Sequence, residues 1–212
     1  MVFNLSEQAS VANQFLADLR SADRQKDRMR FRKNVERLGE ILAYEMSKKL
    51  RYEITEITTP LGRSPVAMML RYPVLVTVLR AGIPFFQGFL NFFDQSDCGF
   101  IGAYRKEDEN DVSVTLDYLS IGAISNRELF LIDPMIATGK SVVKAMESIL
   151  KKGTPSAVYV ASLIAATEGL EYVEKNIRCS VYTCAIDEKL NDQFFIVPGL
   201  GDAGDLAFGS KH

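Results

Sequence analysis

Uninterrupted apolar runs that alternate with helical stretches constrain the fold of this chain most. Residues 74–79 read VLVTVL, without a charged side chain, which is typical of a strand covered on both faces. Further strands are predicted at 100–104, 128–132, 157–165 and 180–186, and helices at 84–93, 141–152 and 167–175. Because parallel strands need crossovers as long as a helix, this alternation predicts an α/β fold with a parallel sheet flanked by helices.

The first fifty residues have a different, helical texture. Between residues 6 and 49 no Pro or Gly occurs before Gly39. Apolar side chains recur there at helical spacing, at Phe15, Leu16, Leu19, Leu38, Ile41 and Leu42. The stretch 20–33 holds seven basic and two acidic side chains, a local charge of +5 (7 − 2). This stretch forms either a solvated helix face or a contact with an anion or another subunit.

Length and composition are those of one domain. The 212 residues are 47% hydrophobic and 25% charged, and a chain of this size buries about 70% of its unfolded surface. No repeat or linker divides the chain, so residues 1–212 are expected to form a single domain. We expect within it a helical lead over 1–50, a flap over 106–120 and a C-terminal segment over 190–212. Polar residues there alternate with Val112, Val114 and Leu116, which predicts a flap or ribbon.

Charge and hydropathy exclude several classes of protein. The formal net charge of −2 argues against a surface that binds nucleic acid. No apolar run reaches the roughly 18 residues of a membrane span, and the N-terminus lacks the basic start and apolar core of a signal peptide. Cys98, Cys179 and Cys184 are odd in number and form no C-x-x-C motif, as expected of reduced thiols. We therefore expect a cytoplasmic protein without membrane or nucleic-acid partners.

The histidine content excludes further chemistry. His212 is the single histidine and the last residue, where chain ends usually fray. Nucleophilic systems and zinc sites that need a positioned imidazole are therefore disfavoured.

The segment 129–142 carries the clearest chemical signal. An apolar strand leads to Asp133, at the carboxyl end of the strand, where α/β sheets bind ligands. The small residues 137–139 let backbone N–H groups point inward, and a helix that starts at Ser141 presents an N-terminus that favours a phosphate dianion. The hydroxyls of Thr138 and Ser141 can donate to phosphate, and Asp133 can accept from a sugar diol. The segment predicts a ribose-phosphate site, although an ordinary strand–turn–helix junction shares part of this pattern.

Two patterns resemble other nucleotide-binding motifs and fail in context. Gly139-Lys140-Ser141 matches the end of a Walker A loop, whose first glycine would stand at position 134. Pro134 stands there instead, without the backbone N–H that the loop requires. The run 199–204 matches G-x-G-x-x-G, but that fingerprint needs a following strand and an acid about 20 residues later. Eight residues follow this run, which is too few.

Four blocks of the chain resemble the uracil phosphoribosyltransferase family, and they occur in the family's order. They are Leu79-Arg80-Ala81-Gly82, similar to its diphosphate loop; Ala103-Tyr104-Arg105, similar to its second arginine site; Asp133 to Gly139, similar to its phosphoribosyl diphosphate loop; and Ile196 to Asp205, similar to its uracil-binding C-terminus. The Asp133-Pro134 pair is typical of the uracil-specific branch, since most phosphoribosyltransferases carry two adjacent acids there. The helical lead, with Arg30-Phe31-Arg32 and Tyr44-Glu45, is also similar.

The resemblance implies a type I phosphoribosyltransferase-like fold and the conversion of uracil and 5-phospho-α-D-ribose 1-diphosphate (PRPP) to UMP and diphosphate in pyrimidine salvage. It implies Mg²⁺ carried by PRPP without a direct protein ligand, a homodimer or higher homo-oligomer, and GTP as an effector of some members. The implied PRPP contacts are Arg80, Ala81, Gly82, Arg105, Asp133, Pro134, Met135, Ile136, Ala137, Thr138, Gly139, Lys140, Ser141 and Asp202. The implied uracil contacts are Ile196, Gly201, Asp202 and Ala203, in a C-terminal base-binding hood. The implied catalytic residues are Asp202, Arg80 and Arg105.

These residue types suit that reaction physically. Diphosphate departs with several negative charges, so cations beside it stabilise the transition state most. Arg80 and Arg105 each follow or end a predicted strand. Uracil has an N3–H donor between two carbonyl acceptors, which the backbone of a glycine-rich loop can match. Cytosine has the opposite pattern and would leave buried groups unpaired. We expect Asp202 to manage the N1 proton or to orient the substrates.

Three alternatives are weighed against this interpretation. Another pyrimidine or purine phosphoribosyltransferase would lack the Asp133-Pro134 pair and the hood. A non-catalytic nucleotide sensor or RNA-binding regulator would lose Arg80, Arg105 or Asp133, or would show a large basic face. A P-loop NTPase fails at Pro134.

Overall fold

The fold is built around one large sheet with helices against it. A computed structural model describes residues 1–108 and 111–210, and their side chains except those of 103–116. The strands in these ranges are β1 (Val2–Asn4), β2 (Tyr52–Thr59), β3 (Gly62–Met69), β4 (Val74–Leu79), β5 (Cys98–Asp108), β6 (Asp111–Ser120), β7 (Glu128–Ile132), β8 (Met135–Ile136), β9 (Ala157–Ala166), β10 (Ser180–Asp187), β11 (Lys189–Leu190) and β12 (Ile196–Val197). The helices are α1 (Ala12–Arg20), α2 (Arg28–Ser47), α3 (Gly82–Leu90), α4 (Lys140–Leu150), α5 (Thr167–Asn176) and α6 (Ala203–Phe208).

The strand order of the main sheet confirms the predicted fold class. Its order is β1-β10-β9-β7-β4-β5-β6, and β8 pairs with β9. The described neighbours are parallel apart from β5 and β6, which pair antiparallel. The β5–β6 pair is the ribbon that the alternation at 112–116 predicted. Residues 109 and 110, at the tip of the predicted flap, lie outside the described residues.

Helices cover both faces of the sheet because the central strands are apolar on both sides. Leu75 of β4 and Phe130 of β7 belong to a cluster that includes α2 and α3. The alternate residues Val76 and Leu131 belong to a second cluster, which includes α4 and α5. The aromatic side chains of α3 pack in the first cluster, where Phe89 meets Phe130 edge to face at 6.4 Å between ring centroids. No helix in the described ranges is long and apolar enough to cross a membrane.

The predicted helical lead contains two α-helices, α1 and α2. α1 ends at Arg20, and α2 begins after Asp27, whose side chain accepts from the backbone N–H of Arg30 at 3.0 Å. A single turn of 3-10 helix over Arg24–Lys26 lies between them. The strand β1, which pairs with β10 before these helices, was not predicted because three residues are too few to show a pattern.

The basic stretch 20–33 binds carboxylates of this same chain. Arg24 and Arg30 donate to Asp18 at 2.6 and 3.0 Å. Hydrogen bonds from these arginines hold the pKa of Asp18 below its usual range. Arg20 donates to Asp187 at the end of β10. Part of the stretch therefore joins elements of this chain. The sequence had instead predicted a solvated helix face or a contact with an anion or another subunit.

The strands β2 and β3 form a hairpin of their own, outside the main sheet. They pair antiparallel from Tyr52 with Met69 to Thr59 with Gly62. Both faces are largely exposed, so alternating hydrophobicity did not reveal the hairpin. Its exposed apolar side chains include Ile54 and the fully exposed Leu61.

Candidate active site

The carboxyl ends of β4 and β7 meet where the connections of the sheet change direction. From β4 the chain passes through α3 to β5, and from β7 it passes the opposite way through α4 to β9. Ligands of α/β sheets bind in the crevice outside such a switch point. The hydroxyl of Thr77 donates to the carbonyl of Ile132 at 3.0 Å and joins the two strand ends. The segments 80–82 and 133–139 therefore leave the sheet side by side.

The segment 133–141 forms the predicted strand, loop and helix start. Asp133 follows β7 and is 8% exposed, and its Oδ1 accepts from the backbone N–H of Met135 at 3.4 Å. The carbonyl of Pro134 accepts from two backbone N–H groups of β9, at 2.9 and 3.2 Å. α4 begins at Lys140, one residue before the predicted start. The sheet thus fixes the first half of the loop, and the helix N-terminus follows it directly.

Two glycines let the main chain of α5 contact this loop. Gly139 has a φ of +74°, in the left-handed region that favours glycine. Gly169, in the first turn of α5, is buried, and a Cβ on it would lie 2.1 Å from the carbonyl oxygen of Ala137. A Cβ on Gly139 would lie 2.6 Å from the carbonyl oxygen of Gly169. This contact was not predicted; its signal in the sequence is a glycine inside a predicted helix.

Arg80 stands at the other side of the crevice, after a cis peptide bond with Leu79. Its Nη2 donates to Oδ1 of Asp205 at 3.4 Å and to the carbonyl of Gly209 at 3.3 Å. The side chains of Arg80 and Asp205 are 39% and 42% exposed, so solvent weakens this ion pair. The Nε of Arg80 is buried and has no hydrogen-bond partner in the described part of the chain. The guanidinium group of Arg80 is therefore held at its exposed end by a weak ion pair that a ligand can replace.

The C-terminal segment packs against the Arg80 loop. Its buried apolar side chains are Ile196, Leu200, Ala203 and Ala207. The C-terminal segment is therefore packed against the rest of the fold rather than frayed. A Cβ on Gly204 would lie 3.7 Å from the Cβ of Ala81. The helix α6, which was not predicted, follows Asp202, whose Oδ1 accepts from the backbone N–H of Asp205 at 2.9 Å.

The structure brings most of the predicted site segments together, but Arg105 lies within a strand rather than at its end. It brings the segments 80–82, 133–141 and 202–205 to one end of the sheet. Arg105 lies in β5, which continues to Asp108, so the prediction that this strand ends near Arg105 is wrong. The strand β5 pairs with β4 only as far as Gly102, but its antiparallel pairing with β6 continues to Asp108. The pairing with β6 therefore extends β5 beyond the predicted end. The side chain of Arg105 lies outside the described residues, as does His212.

The crevice has few side chains that could bind a metal ion. Within residues 1–108 and 111–210 no group of three or more His, Cys, Asp or Glu side chains could hold a metal ion. The loop offers the single carboxylate of Asp133, followed by Pro134. Mg²⁺ keeps several waters and is often held by one or two carboxylates together with substrate phosphates. The residues therefore fit a magnesium ion that is bound mainly by a phosphorylated substrate.

Comparison with solved structures gives the class of protein. A purine phosphoribosyltransferase from Pyrococcus horikoshii superposes with a TM-score of 0.51 at 15% identity, over 73% of this chain and 83% of that chain. The TT1426 protein from Thermus thermophilus superposes with a TM-score of 0.52 at 16% identity, over 84% of this chain and 90% of that chain. With the loop at the switch point, this likeness defines the fold as that of a phosphoribosyltransferase.

Relatives of higher identity give the family. The AQ2163 protein from Aquifex aeolicus superposes with a TM-score of 0.87 at 29% identity, over 99% of this chain and 98% of that chain. Uracil phosphoribosyltransferase from Porphyromonas gingivalis is 40% identical over 213 residues, 99% of each chain. The enzyme from Methanothermobacter thermautotrophicus is 40% identical over 182 residues, 84% of this chain and 83% of that one. A sequence model of the uracil phosphoribosyltransferase family matches residues 6–210.

The chain belongs to the uracil phosphoribosyltransferase family. It is a pentosyltransferase that converts uracil and PRPP to UMP and diphosphate. The resemblance drawn from the four sequence blocks is thereby confirmed, and the P-loop NTPase alternative is excluded.

Proposed function

We propose that the crevice between β4 and β7 is where N1 of uracil is joined to C1 of the PRPP ribose. In this proposal the 5-phosphate binds at 137–141, the ribose hydroxyls at Asp133, the diphosphate at Arg80 and the base at 196–203. One observation carries the proposal: segments far apart in the sequence converge on one edge of the sheet. The contact of Arg80 with Asp205, 125 residues later, illustrates this convergence.

The start of α4 supports a phosphate site. The first N–H groups of a helix lack intrahelical partners, and the helix dipole favours an anion there by about 0.3–1 kcal/mol. The Oγ1 of Thr138 accepts from the backbone N–H of Lys140 at 3.4 Å. That contact uses an oxygen lone pair and leaves the hydroxyl hydrogen for a phosphate oxygen. Ser141, the second residue of α4, adds a further hydroxyl in the proposal.

The leaving group is the next requirement. The bond between C1 and the diphosphate oxygen breaks as the bond between C1 and N1 forms, and the N1 proton is released. Negative charge therefore accumulates on the diphosphate, where Arg80 and Arg105 are proposed to bind. The Arg80–Asp205 pair is exposed on both sides, and exposed pairs contribute at most about 1 kcal/mol. Diphosphate can therefore replace Asp205 as the partner of Arg80 at little cost.

Recognition of the base is proposed to use the backbone of the C-terminal segment. Ile196, Gly201 and Ala203 are the proposed uracil contacts, where N–H and C=O groups match the carbonyls and N3–H of uracil. Asp202 commits Oδ1 to the N–H of Asp205, which leaves Oδ2 for the substrates. Asp202 is proposed to accept the N1 proton or to orient the base toward C1.

We further propose that Mg²⁺ enters with PRPP, without a direct protein ligand, and would neutralise charge on the departing diphosphate when bound. The exposed apolar side chains of the β2–β3 hairpin, such as Ile54 and Leu61, support a homo-oligomer. GTP is proposed as an effector on the family resemblance alone. The free thiols of Cys98, Cys179 and Cys184 support a reducing compartment such as the cytoplasm.

A product assay tests the proposal. Radiolabelled uracil, cytosine or hypoxanthine is incubated with PRPP and Mg²⁺, with and without GTP, and nucleotide products are separated. We expect UMP from uracil and no product from the other bases. Product from hypoxanthine would contradict the proposed base site. No product from any base, with PRPP still bound, would favour a nucleotide sensor.

A further inference from the structure

A buried carboxylate at the end of β10 contacts both the helical lead and the C-terminal segment. Asp187 is 6% exposed. Its Oδ1 and Oδ2 accept from Nη2 and Nη1 of Arg20 at 2.7 and 2.8 Å, a bidentate pair. Its Oδ2 also accepts from the backbone N–H of Gly199 at 2.8 Å. One side chain thus holds α1 and the segment that follows Pro198.

Arg20 completes the same contact from the other side. Its Nη1 donates to the carbonyl oxygen of Gly199 at 3.0 Å, so both backbone polar groups of Gly199 have charged partners. The amide of Gln25, oriented to satisfy its neighbours, donates to the carbonyls of Leu200 and Leu19 at 2.9 Å. We call Asp187, Arg20 and Gly199 the hood clamp.

The hood clamp acts where the chain needs support from outside. Gly199 has a φ of +56°, and two residues later comes Gly201, a proposed uracil contact. The adjoining strand β12 is two residues long, so few sheet hydrogen bonds fix this backbone. Charge-assisted bonds to buried groups are stronger than neutral ones and set direction as well as distance.

We propose that Asp187 and Arg20 are positioning residues that hold the uracil-binding backbone in register. They lie outside the PRPP segments 80–82 and 133–141 and act on the backbone at Gly199, so they set the affinity for uracil and the preference for uracil over cytosine much more than the affinity for PRPP. This inference rests on the proposed base site at 196–203. Neither residue touches the reacting atoms in this account; both act through Gly199.

The test compares Asp187→Asn and Arg20→Lys with Asp18→Asn. Asp18 is the matched control because, like Asp187, it is a buried carboxylate paired with arginine. It lies in α1 and accepts from Arg24 and Arg30. Asparagine at 187 loses the charge that Arg20 needs, and lysine at 20 cannot make the bidentate contact. Arg20→Lys keeps the positive charge, so this variant can be used for the test if Asp187→Asn folds poorly.

We expect both clamp variants to raise the KM for uracil by about tenfold or more, since hydrogen bonds to charged groups are lost. The KM for PRPP should change by less than about twofold, and the ratio of kcat/KM for uracil over cytosine should fall. The Asp18→Asn control should lose stability without either change in the KM values.

Two results would overturn the inference. One is a parallel rise in both KM values for the clamp variants, which a general loss of structure produces. The other is an unchanged KM for uracil in a folded variant. The reaction of the unmodified chain distinguishes a failure of this inference from a failure of the proposed function. If the unmodified chain forms no UMP, the proposed base site itself is contradicted.

Discussion

Replacing Gly169 with alanine tests the backbone contact between α5 and the phosphate loop. Helix propensity alone predicts a gain in stability of up to about 1 kcal/mol, because alanine is the better helix former. The contact predicts the opposite sign. The new Cβ would lie 2.1 Å from the carbonyl oxygen of Ala137 and 2.9 Å from that of Ile136, where ordinary contact begins at 3.4 Å. Backbone oxygens cannot rotate away, so the loop has to retreat by roughly 1 Å, and such overpacking costs about 1–3 kcal/mol.

The net expectation is a loss of up to about 2 kcal/mol in the free energy of unfolding, which is the cost of the clash less the gain in helix propensity. Misplacement of about 1 Å can lower catalysis by about a hundredfold, so kcat/KM for PRPP should fall ten- to a hundredfold. Urea unfolding and initial-rate assays measure the two effects. Gly122→Ala is the control, because a Cβ there meets nothing within 4 Å. A Gly169→Ala variant that is more stable than the wild type and equally active would refute the reasoning.

Three further predictions concern single residues. Arg80→Ala should lower kcat/KM for PRPP by about a hundredfold or more while changing stability by less than about 1 kcal/mol, because its ion pair is exposed; a stable and fully active variant in rate assays contradicts its role. Asp202→Asn keeps an oxygen for the cap of α6, so urea unfolding should be unchanged while kcat falls more than uracil affinity; unchanged turnover removes the proposed role. Burial raises the pKa of the Cys184 thiol, and the thiolate is the reactive form. Cys184 should therefore resist thiol reagents at pH 8 until denaturant is added, and rapid labelling of this residue in the native state would contradict its burial.

The central strands and the phosphate loop were predictable because local sequence determines them. Strands buried on both faces show apolar runs, and β4, β7, β9 and β10 lie within a few residues of their predicted bounds. The loop combines a strand, an acid, small residues and a helix start within fourteen consecutive positions, 129–142. No distant part of the chain is needed to recognise either pattern.

The remaining parts depend on contacts between distant segments. The clash that demands glycine at 169 comes from residues 136 and 137, and the partner of Asp187 is Arg20, 167 residues earlier. A glycine inside a helix, or an aspartate and an arginine far apart in the sequence, does not by itself predict such a contact. The hairpin β2–β3 was missed for another reason, since exposure on both faces removes the alternation that identifies a strand. The predicted end of β5 was wrong because the antiparallel partner β6 extends that strand.

A crystal structure with UMP, diphosphate and Mg²⁺ tests the central claim most directly. The claim is that one crevice, between the ends of β4 and β7, holds all parts of the product. We expect electron density for the UMP phosphate at the N-terminus of α4, the ribose beside Asp133, the diphosphate beside Arg80 and the base against 196–203. Density for UMP at any other place on the chain, or a base that points away from the C-terminal segment, would contradict the account.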